Sequence, residues 1–230
     1  MLCAVGDLIE DVVVQLHGDV QRDTDTPATI TRRRGGSAAN VAYFAAKISH
    51  SSRFVGSVGN DTLGDALVAD LAQHGVDVRG ERRGRTGSIV VVATADGTRT
   101  MLTDRGSATE LSVWHDEWLD GANVVHLPLY SFSHEPLAET ARRAVASAKA
   151  RKCFVSLDLS SVALIEHLGA TNVQALLRQA APDVLFCTRA EAESARVHAD
   201  DLCGAGLVVV KDAERPIRVF SDRKSTRLNS

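Results

Sequence analysis

The segment with the clearest chemical potential runs from Gly35 to Asn40, where two glycines are followed by small residues and an asparagine. Glycines at the end of a strand let a ligand approach the backbone, and the first N–H groups of the following helix then point at it. Asn40 lies one turn into that helix and offers a donor and an acceptor to a hydroxylated ligand. A tight strand-to-helix turn without a ligand has the same pattern, so both interpretations stay open at this point.

Acidic residues follow the first strand-like run, residues 2–5, at the position where open α/β sheets collect ligands. Asp7, Glu10 and Asp11 all lie in this segment, and a carboxylate such as that of Asp11 suits vicinal hydroxyls because it accepts hydrogen bonds from two of them at once. The alternative for Asp11 is a solvated turn acid. A second glycine-rich junction spans residues 55–64 and contains Asp61, which we predict to be the N-cap of a helix.

The elements that must position these residues alternate between short apolar runs and amphipathic ones. This order predicts an α/β fold with a Rossmann-like, mostly parallel sheet and helices on both faces. The predicted helices are 37–48, 63–74, 135–150, 171–180 and 190–197. The segments 11–34 and 85–104 break the order, because each holds consecutive strands without a helix, and Asp96-Gly97 is a hairpin signal. We expect the two insertions to meet as a small β-sheet lid on one α/β domain, residues 1–221.

Composition excludes several classes of protein. The chain has 26 Lys and Arg against 29 Asp and Glu, a net charge of -3, and 44% hydrophobic residues. This balance is that of a globular protein and gives no electrostatic case for a nucleic acid or an anionic membrane. No apolar run reaches the ~18–20 residues of a membrane helix, and the N-terminus lacks a basic leader, so we expect a cytoplasmic protein. The four widely spaced cysteines are expected to be inert, reduced thiols.

Taken together, these motifs resemble those of the ribokinase-like (PfkB) carbohydrate kinases. The N-terminal signature of that family has two glycines, small residues, an asparagine and a distal glycine. Its fixed positions are met by Gly35, Gly36, Ala38, Asn40, Ala42, Ser49 and Gly59. Further family-like segments follow in order: Thr86-Gly87, 96–101, 155–158, 183–186, 188–191 and 208–211. The resemblance covers residues 2 to about 220.

The resemblance implies a Rossmann-like sheet with a β lid and transfer of the γ-phosphoryl of ATP to a sugar or nucleoside hydroxyl with Mg²⁺. It assigns the substrate hydroxyls to Asp11, Gly35, Gly36 and Asn40. It also implies a small-molecule substrate as the partner, and a homodimer formed through the lid.

On the nucleotide side, the resemblance points to Thr188 and Lys211 for the nucleotide or its phosphates and to Glu191 for indirect contact with Mg²⁺. The chain departs from the family here, because Thr188 stands where the motif has an asparagine and supplies only a hydroxyl. An ordinary acid in the first turn of a helix is the alternative for Glu191.

A larger departure is that the Gly-Ala-Gly-Asp signature, which carries the general base and an anion hole, is absent from the 230 residues. Leu207 follows the similar segment 203–206 where the aspartate is required. We therefore expect an incomplete, C-terminally truncated member with no catalytic base and little kinase activity. Residues 222–230 are polar and aperiodic, and we interpret them as a non-native, adapter-like tail.

Three other functions compete with a sugar kinase. One is a nucleoside (adenosine-like) kinase on the same scaffold, and another is a non-catalytic protein that binds a sugar or nucleotide. A dinucleotide-dependent oxidoreductase is the weakest, because no G-x-G-x-x-G follows the first strand.

Overall fold

The computed structural model describes residues 1–94, 96–213 and 215–221. The tail 222–230 that we interpret as adapter-like lies outside the described residues. Twelve strands and six α-helices follow one another in the order β1 (Leu2–Val5), β2 (Ile9–Leu16), β3 (Ala28–Gly35), α1 (Ser37–Lys47), β4 (Ser52–Val58), α2 (Thr62–Gln73), β5 (Val76–Arg82), β6 (Thr86–Ala93), β7 (Arg99–Gly106), β8 (Val124–Pro128), α3 (Leu137–Ala150), β9 (Phe154–Asp158), α4 (Val162–Leu168), α5 (Ala170–Ala180), β10 (Val184–Thr188), α6 (Arg189–Ala195), β11 (Leu207–Asp212) and β12 (Arg215–Ser221).

Eight strands form the main sheet in the order β12-β11-β10-β9-β8-β1-β4-β5. Every pair is parallel except β11 with β12, which confirms the mostly parallel sheet. Its central strands are nearly continuous apolar runs because both faces are covered. Phe54 packs with α1 and α2 in one core cluster, and its neighbour Val55 belongs to the cluster that contains α3 and α5. Successive strand residues point to opposite faces, so the predicted helices lie on both faces.

The predicted small second sheet is also confirmed, with the strand order β3-β2-β6-β7. Each insertion forms an antiparallel hairpin, and the two hairpins join through a parallel pairing of β2 with β6. We call this the lid sheet. The first hairpin connects to the main sheet close to the carboxyl end of β1, where the Gly35-Gly36 turn lies.

Two elements were missed from the sequence. The segment 76–82 forms β5, the edge strand of the main sheet, and its arginines are exposed as edge charges. The short helix α4 begins after Ser161, whose side chain accepts a hydrogen bond from the Leu164 N–H, and ends at Gly169. A serine cap and a terminal glycine were therefore available as signals for α4.

The helices are short: in the described part of the chain, none combines the length and apolarity that crossing a membrane requires.

Candidate functional site

Two consecutive glycines form the turn between the lid sheet and α1, and each is needed for a different close contact. Gly36 has a φ of 100°, and a Cβ there would lie 2.4 Å from the carbonyl oxygen of Asp7. A Cβ on Gly35 would lie 2.3 Å from Oδ1 of Asp11. The turn therefore brings the backbone directly against two acidic residues, which any larger side chain would displace.

Asp7 was not chosen from the sequence, and the structure places it at the centre of this turn. Its side chain is buried, and Oδ1 accepts a hydrogen bond of 3.1 Å from the Ala38 N–H. Its carbonyl oxygen accepts from the Ala39 N–H at 3.2 Å. The expectation that the first N–H groups of α1 face a ligand is therefore corrected in part, because Asp7 already occupies two of them.

Arg105 binds the other oxygen of Asp7 from the lid sheet, with 3.2 Å between Nη1 and Oδ2. The Arg105 guanidinium also lies over the Tyr130 ring, 3.9 Å from its centroid. Neither residue was a sequence candidate, because 98 positions separate Arg105 from Asp7. Only the pairing of the two insertions brings them together.

Asp11 lies on β2, half-buried and against Gly35. Burial raises the pKa of its carboxyl, the nearby Asp7 charge raises it further, and Arg34 opposes both effects. Within the described ranges, no hydrogen bond reaches the Asp11 carboxylate from another residue. Its oxygens are thus available to accept hydrogen bonds from a ligand.

Asn40 is placed as expected, one turn into α1, but its side chain is not free on both sides. Nη1 of Arg34 donates to its Oδ1 at 2.7 Å. Arg34 also donates from Nε to Asp70 at 2.8 Å and lies 4.2 Å from the ring centroid of Tyr43. The donor group of Asn40 is therefore free among the described residues, while its oxygen already accepts one hydrogen bond from Arg34.

The nucleotide-side candidates gather at the same edge of the main sheet, at the carboxyl ends of neighbouring parallel strands. Thr188 ends β10 and is the register partner of Lys211 on β11. Nζ of Lys211 lies 2.8 Å from Oδ2 of Asp158, at the end of β9. Ligands of open α/β sheets bind at this edge.

Thr188 and Glu191 form a capping box at the start of α6. The Thr188 hydroxyl accepts from the Glu191 N–H at 3.3 Å, and Oε2 of Glu191 accepts from the Thr188 N–H at 2.7 Å. The T-x-x-E spacing is a recognisable sequence signal for a capping box and could have predicted this arrangement. One oxygen of the buried Glu191 carboxylate is therefore engaged by its own helix, and only Oε1 is left for another role.

Comparison with known proteins agrees with the arrangement of the two sheets. The family model described as "pfkB family carbohydrate kinase" matches residues 1–226. The chain belongs to this family. Fructokinase-2 of Zea mays is 28% identical over 204 residues, which are 81% of this chain and 61% of that protein. Fructokinase-1 of Oryza sativa subsp. japonica is 29% identical over 165 residues, 69% of this chain and 50% of that protein. The chain thus spans about half the length of most of the curated relatives it matches.

Solved structures show the same fold for this pfkB-family chain. An adenosine kinase from Sinorhizobium meliloti superposes with a TM-score of 0.83 at 20% identity, over 97% of this chain and 77% of that chain. A fructokinase from Xylella fastidiosa gives a TM-score of 0.77 at 22% identity, over 96% and 75% of the two chains. At these identities the similarity establishes the ribokinase-like fold alone.

Proposed function

We propose that this chain is the substrate-binding part of an ATP-dependent carbohydrate kinase, which transfers the γ-phosphoryl of ATP to a sugar hydroxyl. The observation that carries the proposal is the Asp11 carboxylate, which lies against Gly35 at the root of the lid and accepts no hydrogen bond from the described residues. Two carboxylate oxygens suit two vicinal hydroxyls. Gly35 and Gly36 let the backbone of the turn pack directly against Asp11 and Asp7, and Asn40 completes the set.

The lid sheet gives this site a way to exclude water. Asp11 lies on the lid itself, so a sugar bound to it is held by the element that covers the site. Phosphoryl transfer depends on positioning and on exclusion of water, since water is a competing acceptor for the phosphoryl group.

On the nucleotide side, we propose that Lys211 and Thr188 contact the phosphates. Fructokinase from Xylella fastidiosa and a sugar kinase from Pyrococcus horikoshii have been solved with ATP. Lys211 is half-exposed and has only Asp158 as its ion-pair partner among the described residues, so a phosphate can replace or share that contact. A bound Mg²⁺–ATP would supply the transferable phosphoryl and neutralise its charge.

Glu191 fits only an indirect role toward Mg²⁺. Oε2 is held by the capping box, which leaves Oε1 to accept from a metal-bound water. Across residues 1–94, 96–213 and 215–221, no three His, Cys, Asp or Glu side chains converge as direct metal ligands. Mg²⁺ commonly retains several waters and binds through substrate phosphates, which suits such an arrangement.

The general base is the missing part of this proposal. In the family the base belongs to a Gly-Ala-Gly-Asp segment, which the 230 residues do not contain. We therefore propose that the chain as given binds the sugar but turns over slowly, because no positioned carboxylate removes the proton of the attacking hydroxyl. A coupled assay that measures ADP release with D-fructose as the acceptor tests this slow turnover. A turnover rate typical of the family would contradict it.

A nucleoside kinase is the second candidate, because the ribose of a nucleoside presents the same vicinal hydroxyls to Asp11. Isothermal titration calorimetry with D-fructose, D-ribose and adenosine separates the candidates. We expect a sugar to bind the wild type and binding to fall at least about tenfold in Asp11→Asn, the loss of a hydrogen bond to a charged group. Asp19→Asn, on an exposed loop, is the control. Binding of adenosine alone would favour the nucleoside kinase, and binding of none of the three would contradict both.

We also propose a homodimer through the lid, on the face opposite to Asp11. The strand register places six partly or fully exposed apolar residues on that face, namely Val12, Val14, Ile30, Val90, Val92 and Leu102. Apolar sheet faces of this kind are stabilised by packing against a second sheet. Light scattering after size-exclusion chromatography should give a dimer mass for the wild type and a monomer mass for Val14→Glu. Val20→Glu, at an exposed valine outside the lid strands, should remain a dimer; a monomeric wild type would contradict the proposal.

A cytoplasmic location is proposed from the cysteines. Cys3, Cys153, Cys187 and Cys203 are all free and buried. Burial raises the pKa of the Cys3 and Cys187 thiols to about 12, which keeps them protonated and unreactive. Free thiols of this kind are typical of reducing compartments.

A further inference from the structure

Arg34 is the last side chain of the lid before the Gly35-Gly36 turn, and it is held on three sides. Its side chain is only 10% exposed. Nη1 donates to Oδ1 of Asn40 at 2.7 Å, Nε donates to Asp70 at 2.8 Å, and the guanidinium lies over Tyr43. These contacts tie β3 to both α1 and α2 at the root of the lid.

The contact between Arg34 and Asn40 fixes which way the asparagine amide faces. A guanidinium only donates hydrogen bonds, so the oxygen of the Asn40 amide has to face Arg34 and the NH₂ group has to face away. Among the residues that the structure describes, none accepts a hydrogen bond from Nδ2 of Asn40. The half-buried amide therefore presents two free donors, while one lone pair of its oxygen already accepts from Arg34.

We propose that Arg34 is a positioning residue that orients the Asn40 amide, with the NH₂ group turned away from Arg34 and free to donate to the ligand. The inference rests on the proposed function and deepens it, because it fixes the polarity of the sugar contacts. Asp11 accepts a hydrogen bond from the ligand and Asn40 donates one to it. The ligand must therefore present a hydroxyl donor to Asp11 and an acceptor oxygen to Asn40. Arg34 also stabilises the ionised form of Asp11, so it favours the acceptor state of one residue and the donor state of the other.

A purely structural role for Arg34 is the competing explanation, and the chain provides a matched control. Arg53 is 12% exposed and pairs through Nε with Asp77 at 2.7 Å, while Arg34 is 10% exposed and pairs through Nε with Asp70 at 2.8 Å. Asp70 and Asp77 are 34% and 35% exposed. Arg53 lies at the amino end of β4, at the opposite edge of the main sheet from the site. Arg34→Met and Arg53→Met therefore remove equivalent ion pairs, and only one of them touches Asn40.

The first experiment measures binding and stability together, by calorimetry with D-fructose and D-ribose and by thermal unfolding. We expect both variants to lower Tm; Arg53→Met also removes the hydrogen bonds from Nη1 to the carbonyl oxygens of Trp118 and Asp120. Binding should weaken about 3–10-fold in Arg34→Met alone, the effect of one neutral hydrogen bond. Asn40→Asp keeps an acceptor toward Arg34 but loses both donors, so it should retain its Tm and lose binding by about tenfold or more. Equal binding by Arg34→Met and Arg53→Met, or full binding by Asn40→Asp, would overturn the proposal.

A second measurement decides the orientation of Asn40 without a ligand. In protein labelled with ¹⁵N-asparagine, the side-chain NH₂ resonances of Asn40 are identified by their loss in Asn40→Asp. We expect them to shift in Arg34→Met and to stay in place in Arg53→Met, because only Arg34 polarises that amide. Unchanged resonances in Arg34→Met would refute the role of Arg34. If the wild type binds no sugar while the resonances shift as expected, the proposed function fails and the positioning role stands.

Discussion

Asp7 and Arg105 form an ion pair that fastens the lid sheet to the main sheet, with 3.2 Å between Oδ2 and Nη1. Asp7 follows β1, and Arg105 lies near the end of β7. Their side chains are 6% and 17% exposed, so little water screens the pair. Because the Asp7 carbonyl also lies against Gly36, this connection reaches the backbone of the proposed sugar site.

Removing Arg105 should loosen the lid without unfolding the main sheet. In Arg105→Gln the Asp7 carboxylate keeps its bond from Ala38 but loses its charge partner, and the stacking of the Arg105 guanidinium on Tyr130 is lost as well. We expect a cost of about 1–3 kcal/mol. Hydrogen exchange should accelerate in the four lid strands and stay slow in β8 and β9. Arg85→Gln is the control, since its exposed pair with Asp104 should cost less than about 1 kcal/mol. Uniform acceleration across both sheets would show that Asp7 and Arg105 do not act at the lid alone.

Stability should fall in acid because of Asp61, which is the N-cap of α2 as predicted. Burial raises the pKa of its carboxyl, but hydrogen bonds from Thr86 and Gly64 outweigh burial and hold the pKa below its ordinary 3.8. The stabilisation is therefore complete above about pH 4 and is lost as pH falls through the lowered folded-state value. Urea unfolding at pH 7 should show a loss of about 1–2 kcal/mol in Asp61→Ala, the cost of a lost cap. The difference from wild type should shrink at pH 3, and a constant difference would contradict this account.

Asp11 should give stability a pH dependence of the opposite sign to that of Asp61, and the same ionisation should control sugar binding. Its pKa is raised by burial and by Asp7, so the stability that its protonated form contributes is present at low pH and is lost as pH rises through the folded-state pKa. At pH 7 the half-buried charge opposes folding, and Asp11→Asn should raise Tm while it weakens sugar binding at least about tenfold. Affinity of the wild type should decline on acidification at a higher pH than an ordinary aspartate would give. A lower Tm in Asp11→Asn would show that the carboxylate serves the fold instead.

Gly36 should tolerate no side chain. At a φ of 100°, an alanine Cβ would lie 2.4 Å from the Asp7 carbonyl oxygen, so Gly36→Ala combines backbone strain with a clash against main-chain atoms. We expect a loss of about 2–4 kcal/mol, measured by urea unfolding. Gly18→Ala, where nothing lies within 4 Å of the added Cβ, should stay within about 1 kcal/mol of the wild type. Similar unfolding curves for the two variants would contradict the close approach at Gly36.

Local pattern was enough for the strand–helix order, the paired hairpins and the Gly35-Gly36 junction, because periodicity and turn chemistry are written in neighbouring residues. It was also enough for the Asp61 cap, whose partner Gly64 is three positions away. It was insufficient for β5, where charges on an edge strand hide the alternation. The short helix α4 was missed although its serine cap and terminal glycine are local signals.

The residue types at the site were determined by the sequence: an acid after the first strand, two glycines before a helix and an asparagine one turn later. Only the tertiary structure decided which atoms of those residues remain free. Oδ1 of Asn40 accepts a hydrogen bond from Arg34, and Asp7 accepts from two N–H groups of α1. No described residue donates to the Asp11 carboxylate. Hydrogen-bond partners are decided by distances in space, and strand pairing brings Arg105 beside Asp7 across 98 positions that no local pattern connects.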